Sequence, residues 1–148
     1  MEALTRIASG LAGACAVTAV HQLANKAGVP HAPRVDVVGR RAIAGPLAML
    51  GIDPPKGKSL HDAALALDIA SNTLYYAAVA KNDGRHAWRR GLVLGLLAGI
   101  GAVVLPPALR LGSKPTSRTP ATQLMTVAWY TLGGLVAAAT ARTLAEGE

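Results

Sequence analysis

GLVLGLLAGIGAVVLPPAL, residues 91–109, runs from Arg90 to Arg110 without a charge, and TPATQLMTVAWYTLGGLVAAATA, residues 119–141, does the same between Arg118 and Arg142. A hydrocarbon layer about 30 Å thick takes about 20 mostly apolar residues at a 1.5 Å rise. Within it a helix is the way for a single segment to satisfy its own backbone N–H and C=O groups. Each tract therefore reads as a membrane span, and the rest of the chain is read in that solvent.

Working outward, Arg6 and Lys26 bracket another uncharged run, Ile7 to Asn25, whose second half is made semi-polar by Thr18, His21 and Gln22. Arg6 before an apolar stretch has some likeness to a secretion signal, but no convincing small-x-small cleavage site follows, so the run is expected to stay as a first helix. Ser59 followed by Asp62 fits a capping box that opens a helix continuing to Ala80, before Lys81. The expected fold is all-α: an integral membrane four-helix bundle of two antiparallel hairpins, one transmembrane domain over residues 1–148. Its spans are placed at about 7–25, 59–80, 91–109 and 121–141. Asn82-Asp83-Gly84 is a turn signal that predicts a tight hairpin between spans two and three. Pro106 and Pro107 are expected to kink or finish span three.

The connection between spans one and two carries Pro30, Pro33, Pro46, Pro54 and Pro55 with Arg34, Asp36, Arg40 and Arg41, and does not cross. Inside it Val35, Val38, Ala42, Ile43 and Leu47 form an apolar stripe, which predicts a short amphipathic interfacial helix at about 35–50. Pro46 is expected to break or kink it.

Across 148 residues, 51% are hydrophobic and 16% charged, with no Phe, so the apolar surface is made of Ala, Gly, Val and Leu. A net charge of +7 raises nucleic acid as a partner. No zinc-ligand pattern, recognition helix or aromatic platform accompanies it, and nucleic acid is set aside. The basic residues gather at tract ends instead, as at Lys81, Arg85, Arg89 and Arg90, where they contact lipid headgroups. Trp88 stands where an interfacial aromatic belongs. Counted by side, six of the fifteen basic residues fall with the termini and nine with the other two connections. The positive-inside rule then leans toward non-cytoplasmic termini in a bacterial inner membrane. Cys15, the single cysteine, reads as a small buried hydrophobe.

Gly91, Gly95 and Gly99 recur every four residues, and Gly10 with Ala14 and Gly133 with Ala137 repeat the spacing in spans one and four. Without Cβ atoms there another backbone can come close, either within the chain or on a partner subunit. Span two is the impure one. At 100° per residue His61, Asp68 and Asn72 share an arc flanked by Tyr75 and Tyr76, and Asp68 falls near mid-membrane, where an exposed carboxylate costs about 2.5–3.5 kcal/mol or more. Three readings compete for it: a hydrogen-bond node with Asn72 and neighbouring hydroxyls, a contact with another subunit, or a proton or ion site. His21 and His61 fall on the same side of the membrane and raise haem or pigment ligation, with simple interfacial histidines as the plainer account. Thr122, Thr126, Trp129, Gly133 and Thr140 share a face of span four that reads as a packing seam.

No Walker loop, G-x-S-x-G elbow, HExxH or Cys/His metal set is present, and the chain is not expected to be an enzyme. The expected role is a non-catalytic accessory or scaffold subunit of a membrane complex, associating with lipid, other subunits or itself through Gly/Ala faces. The alternatives are a small oligomeric transporter or channel using Asp68 and Asn72, and a haem- or pigment-binding electron-transfer subunit.

Overall fold

A computed structural model of the chain describes residues 2–81 and 86–146. Among them every regular element is a helix: α1 (Glu2–Lys26), α2 (Val35–Met49), α3 (Gly57–Tyr76) extended by a 3₁₀ turn (Ala77–Ala80), α4 (Ala87–Ala108), the one-turn α5 (Lys114–Ser117) and α6 (Pro120–Glu146). Four stretches are long and apolar enough to cross a membrane: α1, α3 with its 3₁₀ turn, α4 and α6. Large apolar side chains such as Leu97, Val104, Leu105 and Leu124 are exposed on their outer faces. That arrangement suits hydrocarbon and would be costly in water.

The starts and stops follow local chemistry, with a departure from expectation at the start of α3. Helix α3 begins at Gly57, two residues ahead of the Ser59–Asp62 box. Gly57 makes the turn into it at φ +57°, and Asp62 accepts from Lys58 Nζ at 2.6 Å instead of capping the helix. Helix α2 runs through Pro46 to Met49. Pro46 follows Gly45, which has no Cβ for the proline ring to strike, so the usual bar on helix before proline is relaxed. Helix α4 likewise carries Pro106 and Pro107 inside it and ends at Ala108. The Asn82-Asp83-Gly84 turn lies outside the described residues, as does Arg85.

Packing runs in a row, α3 against α1, α1 against α6, and α6 against α4, the last pair sharing the longest seam. Glycines set the spacing. Cβ atoms added at Gly91, Gly95 and Gly99 would strike Gly134 and Ala138, Thr131, and Val127 in turn, so the partner numbers fall as those on α4 rise. On α1, Gly10 lies against the Thr73 carbonyl of α3, and Gly13 and Gly133 bring the α1 and α6 backbones together. The seams predicted from spacing are thus used inside the chain.

The buried cluster where α1, α3 and α6 meet holds Val17, Tyr76, Val79, Tyr130, Ala137 and Ala138. Tyr76 is fully buried and its hydroxyl donates to the Tyr130 carbonyl at 2.6 Å. Arg90, expected at the headgroups, turns inward: its Nε donates to Val79 O at 2.9 Å and a terminal nitrogen to Lys81 O. Those are end-of-helix carbonyls with no helical N–H left to take them. Lys81 and Arg89 remain exposed. Cys15 is exposed as well, against the buried position expected, because Gly13 and Ala14 take the packed face of that turn.

Candidate functional site

Helix α2 builds the site. It lies along the first half of α3 with Gly39 over Ala64, and two ties hold it to the connection after α4: Arg34 N–H donates to Pro115 O at 2.7 Å, and an Arg41 guanidinium nitrogen to Leu111 O at 2.6 Å. Because α2 covers α1 and α3 without filling the space between them, a cavity of about 210 Å³ remains there. Its walls include Thr18, His21, Asn25, Arg34, His61 and Asp68.

Asp68 is the floor. Its carboxylate accepts from Thr18 Oγ1 at 3.2 Å and from Asn72 Nδ2 at 3.0 Å, and Asn72 also donates to the Asp68 carbonyl at 2.9 Å. The pairing fixes its depth. At 1.5 Å per residue Thr18 stands about 18 Å along α1 from Arg6 and about 12 Å from Lys26, so Asp68 sits close to the middle of the span. Both of its donors are neutral.

His21 forms one wall. Its Nδ1 donates to Val17 O at 2.8 Å, and Nε2 is buried without a partner among the described residues. The ring is pinned edge-on by Trp129, with centroids 4.9 Å apart, and by Tyr130 at 5.6 Å. Asn25 Nδ2 closes the end of α1 by donating to His21 O at 2.9 Å and Pro33 O at 3.2 Å.

At the rim Arg34 and Arg40 grip Asp36, at 3.0 and 2.8 Å. Burial pushes the Asp36 carboxyl up, but the two guanidinium groups and the Val37 N–H outweigh it and hold it below the usual carboxylate range. A carboxylate with a depressed pKa adds stability above its unfolded value near 4, and that stability is lost as pH falls through the folded value. Asp36→Asn should therefore cost about 1 kcal/mol or less, since Arg34 is half exposed. Melting curves in mild detergent should show that gap unchanged between pH 7 and about 5 and closing below about 4.

A second space opens between α3 and α4, which share few direct contacts. Tyr75 Oη bridges them by donating to Leu94 O at 2.9 Å. From that bridge a cleft of about 440 Å³ runs past Ser71, Leu97, Gly101, Ala102 and Leu105 to Leu109 and Thr116. Asp68 and Val35 line both spaces.

The structure thus gathers His21, His61 and Asp68 around one cavity and Asp68, Asn72 and Tyr75 around the other. On the α6 seam Thr126 Oγ1 donates to Thr122 O and Thr116 O, and Trp129 meets His21. Sequence reasoning passed over Asn25, Arg34 and Asp36 as site residues. The Arg34-x-Asp36-x-x-x-Arg40 spacing was the available signal. His21 and His61 both line the cavity of about 210 Å³. Among the described residues no group of three His, Cys, Asp or Glu stands close enough to hold a metal ion. Comparison with family models, curated proteins and solved structures finds no match to this chain.

Proposed function

We propose that the chain is a four-span helical bundle of the bacterial inner membrane, its spans antiparallel in sequence order, that binds a small monovalent cation at Asp68 and carries it across. The observation that carries this reading is a carboxylate midway along a span-length helix, lining a cavity, whose hydrogen bonds among the described residues come from Thr18 and Asn72. A charge so placed is costly unless a counter-ion reaches it, and intramembrane carboxylates mark ion and substrate paths. Arg34, the guanidinium in the cavity wall, is already held by Asp36. Asn72 and Tyr75 position the carboxylate and the neighbouring helix, and no bond-making chemistry is assigned to the site.

The accessory-subunit reading draws on small size, close-packing glycines and the absence of catalytic motifs; Gly10, Gly91, Gly95, Gly99 and Gly133 lie against the chain's own helices. Uptake of radiolabelled tetramethylammonium into liposomes down its own concentration gradient tests the cation reading. Wild-type protein should exceed empty liposomes, and Asp68→Asn should cut the excess at least about tenfold, a loss of about 1.4 kcal/mol of site free energy. Uptake equal to that of empty liposomes, or undiminished in Asp68→Asn, would refute it.

A further inference from the structure

We infer that the natural ligand is an alkylammonium amphiphile, its cationic head on Asp68 and its chain lying in the α3–α4 cleft, entering sideways from the bilayer. The inference rests on the cation reading of Asp68 and names the substrate class. Three observations carry it.

The first is adjacency. Asp68 and Val35 line both the polar cavity and the cleft, so a head on the carboxylate has the apolar wall at Ala102 and Leu105 beside it. The second is the character of the two compartments. The cavity wall carries His21, Asn25, Arg34 and Asp68; the cleft has Ser71, Asn72 and Tyr75 on its α3 side and turns apolar along α4 at Ala102, Leu105 and Leu109, ending on Pro106 and Thr116. From the level of Asp68, opposite about Gly101, to Leu109 it is about 12 Å long at 1.5 Å per residue. That suits an alkyl chain and is far more than a small hydrated cation needs.

The third is the way the cleft is kept open. Both of its sides are helices long and apolar enough to span, and they are bridged by Tyr75 and Leu94 at one end instead of packing along their length. Gly101 faces this space. A Cβ added there would meet only Leu105 Cδ1, at 3.6 Å, whereas every other glycine along the α4–α6 seam is pressed against backbone. Lipid tails are as apolar as the cleft, so the chain gains no transfer free energy by entering. What the cleft supplies is a place for the chain while the head reaches the carboxylate. Asp68 supplies the selectivity for a cation.

The test uses the full chain in phosphatidylcholine nanodiscs, with radiolabelled dodecyltrimethylammonium compared with tetramethylammonium and empty nanodiscs as background. Occupancy is read at a fixed mole fraction in the bilayer, so that partition into lipid cancels. Leu105→Trp fills the cleft beyond the carboxylate, and Leu109→Trp does so independently should the first variant fail to fold. Either should lower dodecyltrimethylammonium occupancy at least about tenfold and leave tetramethylammonium binding unchanged. Asp68→Asn should abolish both. If the cleft variants leave the long-chain ligand bound as in wild type, the amphiphile inference falls, and loss of tetramethylammonium binding in Asp68→Asn would still uphold the cation site. Long-chain binding that survives Asp68→Asn would mark a cleft that takes ordinary lipid chains and also overturns the inference. If neither ligand binds the wild type above background, both readings fall.

Discussion

Gly91→Val should separate α4 from α6 and leave a protein that unfolds at markedly lower denaturant than wild type. The added Cβ would run into the Gly134 carbonyl and lie 2.9 Å from the Ala138 Cβ. Neither neighbour can swing aside, because one is backbone and the other is a methyl fixed to it. Overpacking a core costs about 1–3 kcal/mol when side chains can adjust, and a backbone contact leaves only translation of the whole helix. That movement also opens the Gly95 and Gly99 contacts with Thr131 and Val127, so the loss spreads along the seam. In lipid there is no hydrophobic force to press the helices back together at the wider spacing. Unfolding in sodium dodecyl sulfate titrations, followed by helicity, measures the effect. Gly101→Val on the same helix is the control, and it should behave as wild type because its side chain enters open space. Equal behaviour of the two variants would contradict the account.

Tyr76→Ala should be the most damaging single truncation in the chain, at about 3–5 kcal/mol, the range for removing a buried aromatic ring. Tyr76 is fully buried where α1, α3 and α6 meet, lying against the glycine contacts at Gly13 and Gly133. Gly13 and Gly133 have no side chains to lean into the gap, so the cavity cannot collapse. Tyr76→Phe keeps the ring and loses only the 2.6 Å bond to Tyr130 O, for about 1 kcal/mol. The same titration should rank wild type, Phe and Ala in that order, with the larger step between Phe and Ala. A larger step from wild type to Phe would place the energy in the hydroxyl.

The reason Tyr76 was not legible in the sequence is general for this chain. Gly91, Gly95 and Gly99 could be read because a helix repeats on itself, and the charge-free tracts because hydrocarbon demands a length. Asp68 and Asn72 could be read because they are out of place in such a tract. By contrast, Tyr76 matters through two glycines far away in the sequence, and no local period connects them. Arg90 looked like an anchor because its position at the end of a tract says nothing of whether the carbonyls of Val79 and Lys81 lie within reach. The cavity itself depends on how α2 lies over α3, which is set by the Gly39–Ala64 approach and by the ties of Arg34 and Arg41 to the distant connection at 111–115. Thr18 shows the boundary between the two cases. Its polarity marked the run as impure, but its bond to Asp68 is a tertiary fact.

Cys15, turned away from the packed face of α1, makes the chain its own depth gauge. It stands about 14 Å along the helix from Arg6 and about 17 Å from Lys26 at 1.5 Å per residue, close to halfway. As the single thiol in the sequence, it takes a nitroxide with no other residue changed. Oxygen, which dissolves in hydrocarbon, and a water-soluble nickel chelate would then compete to relax that spin. An outward thiol in mid-bilayer is reached by oxygen and shielded from nickel, so the native protein carries the position from which its own placement in the membrane can be read.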